Sequence, residues 1–158
     1  MRRGLPGGYE LDDDPQRLDV DAIHHFISQE SYWGRGRSRE RVLGTIAGSR
    51  RVVGLYLDGL QVGFARAITD GVTMAYMADV YVLEAHRGRG LGVELVREMI
   101  EGAGAPPVHW ILHTADAEGV YERLGFRVGP LRYPLMERPR GAGQDAGGLA
   151  GAAGGQGQ

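Results

Sequence analysis

Runs of apolar residues separated by turn-forming dipeptides fill the middle of this chain. Residues 52–57 and 61–68 flank Leu57-Asp58-Gly59-Leu60, and Asp-Gly between apolar runs is a strong hairpin signal. Residues 74–83 add a third strand, so this region reads as an antiparallel meander. Helical spacing takes over on either side. Residues 20–29 set Ile23, Phe26 and Ile27 on one side of a helix, and Ser38 is a sound N-cap for a second helix ending near Ala47. In residues 91–101, Leu91, Leu95, Val96, Met99 and Ile100 face inward, while Glu94, Arg97, Glu98 and Glu101 face outward. Pro106-Pro107 stops that pattern. Short strands are expected at 9–12 and 109–113, a helix capped by Asp116 runs to Leu124, and 126–128 and 132–136 are expected as closing strands. The predicted order is β-α-α-β-β-β-α-β-α-β-β. Its class is α/β: a single domain with a mostly antiparallel twisted sheet flanked by helices.

The two ends read differently. Residues 1–8 carry Arg2 and Arg3 but no apolar pattern, and are expected to be a flexible lead. From Pro139 onward the chain is almost wholly glycine, alanine and glutamine. Such a segment buries too little apolar surface to offset its ordering entropy. The expected organisation is a lead over 1–8, a folded domain over 9–138 and a disordered tail over 139–158.

Composition narrows the chemistry. A chain of 158 residues that is 42% hydrophobic has the length of one domain and enough apolar surface for one core. The net charge of −2 argues against a broad nucleic-acid-binding face. Arg35, Arg37, Arg39 and Arg41 cluster, but Glu40 interrupts them, as on a solvated helix start. No cysteine is present, which excludes disulfides, a thiol nucleophile and thiolate metal ligation. The absence of lysine excludes a Schiff base, so any group transfer must proceed without these two covalent relays. His24 and His25 point apart on one helix, and His109 and His113 share a strand face without further ligands, so no metal site is expected. No stretch approaches 18 apolar residues and the start of the chain lacks a signal-type apolar core, so no membrane segment and a cytoplasmic location are expected.

The stretch from Ala78 to Gly92 carries the strongest functional signal. An apolar strand runs into Arg87-Gly88-Arg89-Gly90-Leu91-Gly92 and then directly into a helix. Glycines leave backbone N–H groups unscreened, and the first turn of a helix presents unpaired donors with partial positive charge. Strand, glycine turn and helix start together suit a phosphorylated ligand. A P-loop is excluded, because Val93 and Glu94 stand where that motif needs lysine and a hydroxyl. A dinucleotide fingerprint fits poorly, because the spacing is G-x-G-x-G and the turn follows hairpin strands. A surface turn without a ligand is the plain alternative.

Arg87-Gly88-Arg89-Gly90-Leu91-Gly92 resembles the [QR]-x-x-G-x-[GA] pyrophosphate signature of the GCN5-related N-acetyltransferase (GNAT) family. Val120-Tyr121-Glu122-Arg123-Leu124-Gly125-Phe126 is similar to that family's terminal [ILV]-Y-x-x-x-G-F motif. The likeness covers roughly residues 9 to 136 and implies acetyl-CoA as co-substrate, with Val93 completing the phosphate turn. It also implies that Val80, Tyr81 and Val82 are the strand against which the pantetheine arm lies, as a peptide adds to a sheet edge. Tyr121 matches the tyrosine that protonates the leaving thiolate; its other reading is a helix aromatic packed on Phe126. The implied acceptor is a small-molecule or peptide amine, and Tyr32 and Trp33 lie where the family builds its acceptor pocket. Anchoring of their loop in the core is the competing role. Stripping the proton from a lysine-like amine at pH 7 costs about 4.6 kcal/mol, so a base is needed. Asp79 and Glu84 precede the turn, and Asp79 is the favoured base, with a structural hydrogen bond to backbone as its alternative. Thr114 stands where many members carry asparagine, and Asp116 either replaces it or caps the helix. A non-catalytic acyl-CoA-binding domain, a different acyl donor and a homodimer all remain open.

Overall fold

The computed structural model describes residues 1–129 and Met136. The unit Met1–Arg127 carries every element below; Val128–Gln158 form a second unit. Six strands make one sheet in sequence order: β1 (Arg2–Gly4), β2 (Tyr9–Asp12), β3 (Arg51–Leu57), β4 (Leu60–Thr69), β5 (Met74–Val82) and β6 (His109–Ile111). Neighbours are antiparallel except β5 and β6, which run parallel and therefore need a crossover. Helix α3 (Leu91–Glu101) supplies it. The other helices are α1 (Val20–His25), continued by a π turn over Phe26–Glu30, then α2 (Arg39–Ala47) and α4 (Glu118–Glu122). None among the described residues is long and apolar enough to cross a membrane.

Local chemistry accounts for most of these boundaries. Asp58 (φ 49°) and Gly59 (φ 80°) both lie in left-handed conformation, the two-residue turn whose twist suits a hairpin. Asp19 caps α1 by accepting from Ala22 N–H, and Ser38 caps α2 by accepting from Arg41 N–H. β3 and β4 are buried on both faces, which explains their near-continuous apolar character. On one face Val53, Leu55, Ala65, Ala67 and Met77 pack on Leu91, Leu95, Val96 and Met99 of α3. On the other, Val52, Phe64 and Tyr81 pack on Ile23, Phe26, Ile27 and Val42.

Several expectations need correction. The first residues are not a frayed lead, because Arg2–Gly4 pairs with Glu10, Leu11 and Asp12 as strand β1. Its backbone ladder is reinforced by Arg3, which bonds Glu94 at 3.0 Å and Glu98 at 2.7 Å on α3. Asp116 does not cap α4; Thr114 Oγ1 accepts from Ala117 N–H at 3.1 Å, and the helix proper is only Glu118–Glu122. Residues 126–128 form no strand. Of 132–136 only Met136 is described, and the tail over 139–158 lies outside the described residues.

One irregularity shapes everything beside it. Phe64 pairs with Tyr81 but Arg66 pairs with Ala78, so Ala65 faces both Asp79 and Val80. This is a β-bulge, with Asp79 at φ 51° as its left-handed residue. A bulge bends its strand, and β6 follows β5 only along Met74, Ala75 and Tyr76. Past that point the β5 edge has no strand neighbour among the described residues. Leu95 is fully buried and Leu60 is 73% exposed. Urea denaturation should therefore find Leu95→Ala less stable by about 2–5 kcal/mol and Leu60→Ala within about 0.5 kcal/mol of the parent.

Candidate active site

Where β5 and β6 part, a cleft of about 740 Å³ opens. Its walls are the β5 edge at Val80, Tyr81 and Val82, the turn from Arg87 into α3, α4 at Val120 and Tyr121, and the loop at Tyr32 and Trp33. Residues from four distant parts of the chain thus meet around one space.

The turn presents backbone donors. Gly88 and Gly90 have φ of 75° and 76°, the left-handed region that favours glycine. A Cβ built on either meets nothing within 4 Å, so conformation and not crowding selects glycine there. Arg87 N–H is occupied by Glu84 carbonyl at 3.1 Å. From Gly88 through Val93, no N–H donates to a protein acceptor among the described residues. Arg87 Nε donates to Val82 carbonyl at 2.9 Å and ties the turn to the strand edge. Gly92, Leu91 and Val93 line the cleft with Arg87, Gly88 and Gly90. Arg89 borders an adjoining hollow of about 720 Å³ that shares Gly90, Leu91, Val93 and Arg123 with the cleft.

The strand edge supplies one further donor. Leu83 N–H donates to Val62 carbonyl at 2.9 Å, so Val62 and Leu83 form a hydrogen-bonded pair across β4 and β5. The adjacent pair, Gly63 and Val82, is then non-hydrogen-bonded, and the Val82 amide turns away from β4 toward the cleft. Tyr81 is different. Its backbone faces Phe64 in the ladder, and its ring stacks on Phe26 at 3.9 Å, so it serves the core first.

Tyr121 reaches the cleft from α4, with its ring edge-to-face on Phe126 at 5.8 Å. Its packing on Phe126 and its place at the cleft therefore coexist in one side chain. Burial is the main cause that pushes its phenol up to about 12, with nearby Tyr32 and Asp116 adding to it. The hydroxyl thus stays protonated throughout the neutral range.

Asp79 is not placed as a base. Its carboxylate is 2% exposed and accepts from Arg66 Nε at 2.6 Å, from Arg37 at 2.9 and 3.1 Å, and from Trp33 Nε1 at 3.0 Å. A carboxylate whose oxygens are filled by two guanidinium groups and an indole has little capacity left for a proton. Its structural alternative is also realised differently than expected, through side chains instead of backbone. Glu84 is exposed in the turn before Arg87 and does not border the cleft. The carboxylates that do are Glu30, which the sequence pattern did not single out, and Asp116, which it had offered as a replacement for the family's asparagine. Arg123, also on the rim, went unnoticed because surface arginines on short helices carry no distinguishing pattern.

A sheet opened at a bulge, with bare amides at the start of the following helix, defines an α/β fold whose cleft suits an anionic ligand. Residues 48–128 match the sequence profile of the acetyltransferase (GNAT) domain. A candidate acetyltransferase of Gibberella zeae is 33% identical over 117 residues, which span 61% of this chain and 66% of that protein, just under two thirds of its length. A crystal structure of a candidate GNAT acetyltransferase from Xanthomonas campestris pv. campestris shares 37% identity with a TM-score of 0.77, covering 86% of this chain and 95% of that one. A candidate acetyltransferase from Deinococcus radiodurans R1, at 22% identity and a TM-score of 0.66 over 89% and 94% of the two chains, shares the fold. The chain belongs to the GNAT acetyltransferase family, and that membership supports acetyl transfer as its general reaction.

The elevated phenol can be titrated. The difference spectrum between the parent and Tyr121→Phe should show a tyrosinate midpoint near 12, above the ordinary 10.0. Because the folded value exceeds the unfolded one, the stability difference between the two proteins should be level below pH 10. It should then move against the parent as pH rises from about 10 to about 12, where only the unfolded phenol has ionised.

Proposed function

We propose that this chain transfers an acetyl group from acetyl-CoA to an amine by direct attack within a ternary complex. The observation that carries this reading is the row of unpartnered N–H groups from Gly88 to Val93, next to an open strand edge. Such donors at a helix start suit a diphosphate, and Arg87 and Arg123 add charge at the cleft wall. The edge at Val80 and Val82 suits the amide-bearing pantetheine arm, by the same logic as strand addition. Acetyl-CoA supplies an activated thioester when bound.

The residues then divide the work. The amine nitrogen forms a bond to the acetyl carbon as the carbon–sulfur bond breaks. Val82 N–H is the donor for negative charge growing on the acetyl oxygen, and such preorganised donors are often the largest catalytic contribution. Tyr121 holds the proton that the departing sulfur takes up. The amine proton leaves to solvent in the cleft, which Glu30 and Asp116 border. Tyr32 and Trp33, 55% and 39% exposed, wall the acceptor end. The acceptor is a small-molecule or peptide amine.

Acetyl-CoA at a hundredfold excess over its dissociation constant should raise the melting temperature by about 5–10 °C, while ATP and NAD should not. Stabilisation by ATP or NAD alone would overturn the reading. Thiol release should be followed over spermidine, tyramine, kanamycin and a peptide with a free N-terminus. On the amine turned over fastest, Tyr121→Phe should lower kcat by about 10²–10⁴ with acetyl-CoA binding retained. Unchanged turnover would remove Tyr121 from the mechanism.

A further inference from the structure

Beside the cleft, a single buried carboxylate joins three separate segments. Asp79 comes from the β5 bulge, Arg66 from β4, and Trp33 and Arg37 from the loop between the π turn and α2. In unbroken alternation Asp79 would share the α3 face with Met77, since Ala78 sits opposite Arg66 on the other face. The extra residue and its positive φ turn the side chain to the face where Arg66 and the loop lie. A carboxylate is thereby delivered beneath the loop that walls the acceptor end.

The loop backbone has its own seat. Ser31 Oγ donates to Ile27 carbonyl at 2.7 Å and accepts from Gly34 N–H at 3.1 Å, and Gly36 N–H reaches Ser28 carbonyl at 2.9 Å. A Cβ on Gly34 would lie 2.4 Å from Ile27 Cγ2, so only glycine fits. This seat does not orient the rings. Trp33 is oriented by its indole N–H on Asp79, and Tyr32 stands edge-on to Trp33 at 4.9 Å. Tyr32 hydroxyl in turn accepts from Ala115 N–H at 3.0 Å, ahead of α4. Arg66, Asp79, Trp33, Tyr32 and Ala115 thus form a strut spanning the cleft from β4 to the approach of α4.

The geometry points to Asp79 as a positioning residue: through Trp33 and Arg37 it fixes the aromatic wall that receives the acceptor amine. This rests on the acyl-transfer reading of the cleft. The wall and the amides of residues 88–93 are carried by different elements of the cleft, so loosening the wall is expected to weaken amine binding more than donor binding.

The test uses a Trp110→Phe background, in which Trp33 is the sole indole. In that background Asp79→Asn should raise acrylamide quenching of Trp33 and tryptic cleavage after Arg35 and Arg37. KM for the fastest amine of the panel should rise about tenfold, in line with loss of one charge-assisted hydrogen bond, while acetyl-CoA affinity stays within about twofold. Trp33→Phe, at a part-exposed position, removes the indole N–H together with one ring of the side chain; read by cleavage and KM, since no indole remains to quench, it should reproduce both changes even if Asp79→Asn fails to fold. Parent-like quenching, cleavage and KM in these variants would overturn the proposal. So would an Asp79→Asn protein that keeps quenching and KM but loses kcat by about 10², which would make Asp79 a proton carrier. Failure of the parent to bind acetyl-CoA would sink the acyl-transfer reading instead, and quenching and cleavage would still decide whether Asp79 holds the loop.

Discussion

The extra residue in β5 sets both the shape and the electrostatics of the cleft. Without it, β5 would keep its register with β4, and its far edge would stay available for β6 along its whole length. With it, the register of β5 shifts at Asp79 and Val80, and the crossover strand accompanies β5 only as far as Tyr76. The edge left behind is where the Val82 amide points outward and where the turn into α3 begins. A non-glycine residue in left-handed conformation is itself unfavourable, by about 1–2 kcal/mol, and survives because its surroundings hold it. Here the surroundings are Arg66, Arg37 and Trp33.

The same residue shows how burial and pairing decide a role that residue type leaves open. An aspartate in an apolar strand next to a phosphate-type turn has the profile of a perturbed catalytic acid or base. Three donors converging on it convert that profile into a structural one, since both its oxygens already accept from guanidinium or indole N–H groups. Tyr121 shows the opposite case. Its ring is packed on Phe126, the residue borders the cleft, and burial raises its pKa while no acceptor or donor among the described residues occupies its hydroxyl.

Much of the fold was legible from local pattern. The hairpin at Asp58-Gly59, the cap at Ser38, and the limits of β2 and α3 follow from turn chemistry and apolar spacing, which act over a few residues. What escaped depends on partners far away in the chain. β1 has no apolar pattern because its hold comes from ladder bonds to β2 and from Arg3 on Glu94 and Glu98. The bulge escaped because an inserted strand residue leaves no mark in composition. Tyr32, Trp33, Val80, Val82, Arg87, Gly88 and Tyr121 do meet around one cleft. Asp79 and Arg89 do not join them, since neither motif spacing nor hydropathy tells on which side of a bent strand or turn a side chain emerges.

The ion pairs described above have a chemical consequence of their own. Arg3, Arg37 and Arg66 supply the side-chain cations of those pairs, and the chain has no lysine anywhere. Guanidinium groups stay protonated at any working pH, so they present no free electron pair to an activated acyl carbon. The charges that hold the scaffold together are therefore inert toward the acyl donor proposed for the cleft. Self-modification, a standing hazard for proteins that concentrate electrophiles, has no side-chain amine here on which to act.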